Sequence, residues 1–192
     1  IRLLEDNRSA HIRLSDTEVW VIAGRQIVTR ERLEILALGT SATFEDSQDI
    51  DTVLKQVIEA DAIPVLAWAP GKWLGKRAAV VTRVIDTYSD RLWIGDSSLR
   101  CTLWPQPEGF RSSSRPVLAG SDPLPVPGEE RQTGRFGVQM KAAFDPDAPL
   151  GSLRRGLQGP ADQVKRIGRR NSPLNMLLRM RRHAARKSSE AS

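Results

Sequence analysis

The sequence contains few of the residues that most often bind metals or act as nucleophiles. It has one cysteine, Cys101, and two histidines, His11 and His183, which lie near opposite ends of the chain. A lone cysteine excludes an internal disulfide, and this set cannot form the Cys and His spacing of a zinc site. Neither histidine stands in a glycine-rich turn at a strand end, which argues against a Ser-His-Asp triad. The single cysteine fits a reducing compartment, so we expect a cytoplasmic protein.

The sequence also lacks any apolar run long enough to span a bilayer, and no signal pattern opens it. We therefore predict no transmembrane segment. The hydrophobic fraction of 40% and the charged fraction of 27% fit a globular protein with one sizeable core. Because the chain begins at Ile1 and not at a methionine, we expect a processed chain or a fragment. The oligomeric state and the ligand cannot be inferred from these features.

Charge is distributed unevenly along the chain. Residues 151–192 contain eleven Lys and Arg but only two acids, a net charge of +9, which leaves −3 for residues 1–150. We therefore divide the chain into an α/β domain over 1–160 and a basic helical tail over 161–192. Such a tail can bind nucleic acid phosphates or an acidic membrane surface, and it can equally be a solubilising extension.

Apolar runs alternate with helical patterns through the middle of the chain. Five runs predict buried strands, at 19–23, 33–38, 63–68, 92–96 and 115–119, and apolar spacing predicts helices over 49–60 and 76–87. Residues 133–144 are a further strand candidate, and 150–157 and 173–185 are helix candidates. Buried strands that alternate with helices are typical of a parallel sheet or a β/α barrel.

The segment from Ala119 to Leu124 is the most informative one, because a strand there ends in glycine and delivers the carboxylate of Asp122 to a loop. In α/β proteins, ligands gather at the carboxyl ends of strands. Asp122 is therefore the first candidate for a catalytic or metal-binding residue. The alternative is that Asp122 caps the following turn.

Three segments together resemble the PHP (polymerase and histidinol phosphatase) family of metal-dependent phosphoesterases. Residues 24–29, Gly-Arg-Gln-Ile-Val-Thr, resemble the family's Gly-x-Glu-[Ile/Val]-Thr-Thr segment, and residues 67–70 fall where the family has a strand ending in His-Pro. Residues 119–124 resemble its Gly-Ser-Asp-Ala-His motif. The resemblance covers roughly residues 18–160. It implies a distorted β/α barrel, a divalent metal (Mn, Fe or Zn) and a phosphorylated substrate.

The chain departs from the family pattern at most of the metal-ligand positions. The family's His-x-His motif is absent, and its bridging glutamate corresponds to Gln26. Its histidine before proline corresponds to Trp68 or Ala69, and its last histidine to Leu124. Only Asp122 matches a metal ligand, because an amide is a poor ligand for divalent cations and Trp and Leu are none.

Other polar residues are predicted at the same strand ends as Asp122. In a barrel, Gln26, Lys72, Asp96 and Arg100 would converge with it on one mouth. Lys72, after a glycine, could meet a phosphate or could be a solvated loop residue. Asp96 and Asp122 could form an acid pair for general acid-base catalysis, or could each cap a helix.

Four of the five tryptophans lie within residues 68–104. Trp68 and Trp73 could line a ring-stacking pocket or could be packed in the core, and we assign Trp93 to packing.

Two functions follow from these observations. We expect an incomplete PHP-like barrel that binds a phosphorylated or anionic ligand without metal catalysis, through Gln26, Trp68, Lys72, Trp73 and Arg100. The alternative is a metal-dependent phosphoesterase whose missing ligands lie upstream of this chain, with Asp96 and Asp122 as catalytic residues.

Overall fold

The computed structural model describes residues 1–190, which form three separate β-sheets and five α-helices. The strands are β1 (Arg2–Leu4), β2 (Ser9–Leu14), β3 (Thr17–Ile22), β4 (Gly24–Val28), β5 (Glu34–Leu38), β6 (Ile63–Ala67), β7 (Trp93–Ser97), β8 (Val117–Gly120), β9 (Phe136–Met140) and β10 (Val164–Gly168). The helices are α1 (Ile50–Glu59), α2 (Lys76–Thr87), α3 (Glu108–Ser112), α4 (Pro149–Gln158) and α5 (Pro173–Glu190). The apolar runs and helical patterns of the sequence are confirmed at β3, β5 to β9, α1, α2, α4 and α5.

The largest sheet has five strands in the order β4-β5-β6-β7-β8. The pairs β4/β5 and β5/β6 are antiparallel, and only β6/β7 and β7/β8 are parallel. The predicted incomplete or distorted β/α barrel is therefore wrong, because the described residues contain no closed sheet. A strand-helix-strand pattern does not fix strand direction, and here β6 runs antiparallel to β5 after α1. In addition, the five strands of this sheet are fewer than the roughly eight that close a small barrel.

One face of the large sheet, which we call the helix face, is covered by α1 and α2. Helix α1 begins after Asp49, whose carboxylate accepts a hydrogen bond from the Thr52 backbone N–H at 3.0 Å. This is the usual role of an N-cap aspartate. Its apolar stripe packs with the alternate strand residues that point the same way, namely Ile27, Ile35, Ala37, Leu66, Ile94 and Val117.

The opposite face, which we call the cavity face, is only partly covered. Leu150 and Leu157 of α4 pack there against Ile63, Val65 and Trp93. Strands β1, β2 and β3 form an antiparallel meander beside α4, and the Glu5 carboxylate accepts hydrogen bonds from the first turn of α4 at 2.9 and 3.0 Å. Cover by α4 ends short of the carboxyl ends of β6, β7 and β8, which leaves part of this face open.

The basic segment after residue 160 folds onto the body of the protein within the described residues. Strand β10 pairs antiparallel with β9 along five residues. The buried Arg179 anchors α5 to the loop that follows β8. Residues 191 and 192 of the predicted tail lie outside the described residues. None of the described helices has the length and apolar content needed to cross a membrane.

Candidate functional site

A cavity of about 260 Å³ opens on the cavity face, near the carboxyl ends of β6, β7 and β8. We call it the sheet cavity. Its side walls are largely apolar, while Gly95 and Gly120 contribute no side chain to its floor. The lining residues are Gln26, Glu34, Leu36, Leu38, Val65, Ala67, Trp68, Gly95, Asp96, Ser97, Leu118, Ala119, Gly120 and Asp122. An apolar pocket with a few polar groups at one end is the usual form of a small-molecule site.

The polar end of the sheet cavity contains two carboxylates. The Ser97 hydroxyl donates a hydrogen bond of 2.7 Å to Asp122 Oδ2. Glu34, the first residue of β5, lies close enough for its negative charge to act on Asp122. The negative charge of Glu34 disfavours ionisation of the Asp122 carboxyl.

Asp122 has an unusual electrostatic and backbone environment. Burial of its carboxyl raises the pKa above the ordinary aspartate value, outweighing the Ser97 hydrogen bond, and the charge of Glu34 adds to the rise. The residue as a whole is exposed to solvent. Its backbone has a φ of 49°, in the left-handed region that few residues other than glycine adopt. Strain at a pocket residue with a raised pKa is a recognised sign of a functional site.

Lys72 and Gln26 lie on the same side of the sheet cavity as Glu34. The Lys72 ammonium forms a close ion pair with Glu34, and both side chains are partly buried. Gln26, on the edge strand β4, is exposed and lines the cavity. Lys72 is therefore neither a solvated loop residue nor an unpaired cation available to a phosphate.

Asp96 and Arg100 form a buried ion pair on the other side of the sheet from Ser97. Two hydrogen bonds of 2.7 and 2.6 Å join Arg100 Nε and Nη2 to the Asp96 carboxylate, and the two side chains are 3% and 0% exposed. The remaining guanidinium nitrogen donates to the backbone oxygens of Trp104 and Pro105 at 3.3 and 3.5 Å. The structure does not bring the Asp96 carboxylate to Asp122, because consecutive strand residues alternate between faces and Asp122 is bonded to Ser97.

The tryptophans divide between the two faces of the sheet. Trp68, Trp73 and Trp104 line a separate cavity of about 250 Å³ over α2, and Trp68 meets Trp104 edge-on with ring centres 5.3 Å apart. The Trp73 indole N–H donates to the Ala67 carbonyl at 3.1 Å. Trp68 and Trp73 are buried, which leaves little ring surface for a ligand. Trp93 is packed on the opposite face, under the Arg115 guanidinium.

Arg179 of α5 forms hydrogen bonds with the chain around Asp122, at the polar end of the sheet cavity. Its guanidinium donates to the Glu129 carboxylate at 2.9 Å, to Ser98 Oγ at 3.0 Å and to the Asp122 carbonyl at 2.9 Å. The Arg179 and Glu129 side chains are 6% and 5% exposed. This network fixes the backbone of Asp122 and therefore the direction of its carboxylate.

Sequence reasoning did not identify Glu34, Ser97, Glu129 or Arg179. Glu34 does carry a signal, since it is the only charged residue in the apolar run from 33 to 38. Arg179 carries none, because it is one of many arginines near the end of the chain.

The described residues do not fit a metal centre of the PHP type. Among residues 1–190, no group of three or more His, Cys, Asp or Glu side chains is arranged to hold a metal ion. Glu34 and Asp122 supply carboxylates, but Glu34 is already paired with Lys72 and Gln26 supplies only an amide.

A second cavity of about 260 Å³ lies at the other end of β6 and β7. Two of its charged side chains already have partners: Arg154 pairs with Asp61 at 2.9 Å, and Arg115 donates to the Asp90 carbonyl. Trp93 Nε1 and Arg115 Nε, in contrast, are buried there without a hydrogen-bond partner. The sheet cavity is the better candidate because it contains the carboxyl with the raised pKa.

Comparison of the chain with protein-family models, with curated proteins and with solved structures found no match in any of the three.

Proposed function

We propose that this protein is a non-catalytic binding module whose sheet cavity holds a small organic molecule. The ligand has an apolar body, which contacts Leu36, Val65 and Leu118. Its polar end is a cationic nitrogen or another hydrogen-bond donor, which faces Glu34 and Asp122. The observation that carries this proposal is the pair of carboxylates at one end of an apolar cavity.

The charges around the cavity favour a cationic ligand over an anionic one. Lys72 and Arg100 were the predicted contacts for a phosphate, and each is paired with a carboxylate, Glu34 and Asp96 respectively. A phosphorylated ligand in this cavity would meet the Asp122 carboxylate and would be repelled by it, while Lys72 is already paired with Glu34. The phosphorylated or anionic ligand expected from the sequence is therefore the second choice at this site.

Binding without chemistry is supported by the residues that surround Asp122. Neither histidine of the chain lines the sheet cavity. Ser97 donates to Asp122, and Arg179 holds the Asp122 backbone, but no histidine stands beside this pair in the cavity lining to act as the base of a Ser-His-Asp arrangement. A phosphoesterase of the PHP type would need metal ligands from outside this chain.

Membership of the PHP family stays a proposal, supported by the resemblance of residues 119–124. A cytoplasmic location is likewise a proposal, supported by the single cysteine.

Isothermal calorimetry with two ligands that share one apolar body tests the proposed function. Cyclohexylmethylamine and cyclohexanecarboxylate share the cyclohexyl ring, and their polar ends are a hydrogen-bond-donating cation and a hydrogen-bond-accepting anion. We expect the amine alone to bind at neutral pH. Asp122→Asn should weaken amine binding by about tenfold, the effect of losing one partly exposed charge-assisted hydrogen bond. Glu59→Gln, an exposed site on α1, is the matched control and should leave binding unchanged.

A cavity-filling variant tests whether the ligand binds in the sheet cavity while the charges of Glu34 and Asp122 are left unchanged. Gly120 lies on the cavity face beside Leu118, and a β-carbon added there would meet only the Asp96 backbone oxygen, at 3.9 Å. Gly120→Val should therefore fold normally and abolish amine binding, because its methyl groups occupy the cavity. Stronger binding of the carboxylate would contradict the proposed ligand class. Stoichiometric Mn, Fe or Zn that is lost in Asp122→Ala would instead favour the metal-dependent hydrolase.

A further inference from the structure

Helix α5 packs against the protein through an arginine and exposes leucines to solvent. Arg179 points inward and is 5% exposed, whereas Leu174, Leu177 and Leu178 point outward and are 65%, 45% and 45% exposed. A surface helix of a globular protein usually buries its leucines and exposes its arginines. The outward apolar face of α5 therefore needs an explanation other than its packing on this chain.

The Arg179 network fixes this orientation. Its hydrogen bonds to Glu129, Ser98 and Asp122 hold one side of the helix against the loops that follow β7 and β8. Residues three and four positions away share a helix side, so Met176 and His183 face inward with Arg179 and are half-buried. Leu174, Leu177, Leu178 and Arg181 are likewise three or four positions apart, and they share the side of the helix opposite Arg179.

The chain on both sides of the leucines is strongly basic. Residues 163–189 contain no Asp or Glu and nine Lys or Arg. Arg181 and Arg182 are exposed next to the leucines on α5, and Arg169 is exposed just before the helix. An apolar stripe within a cationic surface complements a partner that is apolar inside and anionic outside.

We propose that α5 is a docking surface for an anionic lipid bilayer. The three leucines enter the boundary between headgroups and acyl chains, and Arg181 and Arg182 contact lipid phosphates and carboxylates. An interfacial helix binds through buried apolar area together with attraction to anionic lipids, and α5 exposes both. A nucleic acid would use the arginines but would leave the leucines in water, so the leucines decide between the two partners.

Co-sedimentation of the full chain with vesicles tests this docking surface. We expect binding to vesicles of phosphatidylcholine mixed with phosphatidylserine to be at least about tenfold tighter than to phosphatidylcholine alone. Replacing the outward leucines together (Leu174→Ser, Leu177→Ser and Leu178→Ser) should weaken binding by about tenfold or more, because the apolar contact is lost. Arg181→Gln with Arg182→Gln should produce a loss of similar size.

A matched control replaces three exposed leucines outside α5. Leu3, Leu14 and Leu103 are 62%, 58% and 80% exposed, and their triple change to serine should leave vesicle binding unchanged. Circular dichroism checks that each variant is folded. The proposal is overturned if the wild-type chain ignores phosphatidylserine vesicles, or if the α5 leucine variant binds them as well as the wild type does. Binding to single-stranded poly-uridine that survives the leucine changes, without vesicle binding, would identify a nucleic acid surface instead.

Discussion

Asp96 and Asp122 lie at the carboxyl ends of two neighbouring parallel strands, yet they differ in burial and in hydrogen-bond partners. Asp96 lies at the end of β7, is fully buried and accepts two hydrogen bonds from Arg100. Asp122 lies just after β8, is exposed at the mouth of the sheet cavity and accepts one side-chain hydrogen bond, from Ser97. Its pKa is raised by burial and by Glu34. One aspartate is used for stability, and the other is available to a ligand.

The difference between the two aspartates arises from strand alternation and from distant partners. Asp96 and Ser97 are consecutive residues of β7 and therefore point to opposite faces of the sheet. The helix face supplies Arg100 for one carboxylate, whereas the cavity face supplies only a hydroxyl for the other. Of these two aspartates, only Asp96 has an arginine bonded to its carboxylate, which leaves Asp122 as the functional candidate.

The largest effect is expected from Asp96→Asn. This change leaves the buried Arg100 guanidinium without its counter-charge, so the free energy of unfolding should fall by about 3 kcal/mol. Urea unfolding at neutral pH measures it. A loss below about 1 kcal/mol would show that the buried pair is not a structural element of the helix face.

A similar but smaller loss is expected from Arg179→Met. The buried Glu129 would lose its cation and α5 its anchor, which should lower the free energy of unfolding by about 2–3 kcal/mol. Hydrogen exchange should show faster exchange along α5. The exposed neighbour Arg181→Gln is the control, and an equal loss in both variants would contradict the anchoring role of Arg179.

Asp122→Asn should have the opposite sign from Asp96→Asn. The raised pKa means that the folded protein holds this proton more tightly than the unfolded chain does. The wild type therefore loses stability as the pH rises from the ordinary aspartate pKa, about 3.9, through the raised one, and the loss is constant above it. The variant cannot ionise and should equal the wild type at low pH and exceed it at neutral pH. Urea unfolding across this pH range checks the sign, and a variant less stable at neutral pH would contradict it.

The smallest effect is expected from Lys72→Met. Removing the ammonium leaves Glu34 free to meet a cationic ligand, so amine affinity should rise a few-fold, as for one weakly screened charge. Stability should change by less than about 1 kcal/mol because the ion pair is only partly buried. A fall in amine affinity on calorimetry would show that Lys72 contacts the ligand directly.

The strands and helices with strong patterns were predictable from the sequence. The continuous apolar run of β6 and the Asp49 cap of α1 are local signals, and both elements are present. The placement of Asp122 after a strand was predictable for the same reason. Strands β1, β2, β4 and β10 were missed, because their mixed sequences acquire strand structure only through pairing.

The strand directions of the large sheet and the partners of the charged residues were not predictable from the sequence. Whether β6 runs parallel or antiparallel to β5 depends on how the chain returns after α1, which periodicity does not encode. Glu34 meets Lys72 across 38 positions, and Arg179 meets Glu129 across 50. Such contacts follow from the fold as a whole. They decide which predicted residues are neutralised and which face a ligand.

The central claim is that the open end of the sheet cavity receives a cationic ligand between Glu34 and Asp122. NMR titration of the labelled chain with cyclohexylmethylamine tests it most directly, since Gly95, Gly120 and Leu118 report on the cavity floor and wall. The account predicts amide shifts that concentrate at these three residues and vanish in Gly120→Val. Shifts that are absent, that spread over the surface, or that cyclohexanecarboxylate produces equally would contradict it.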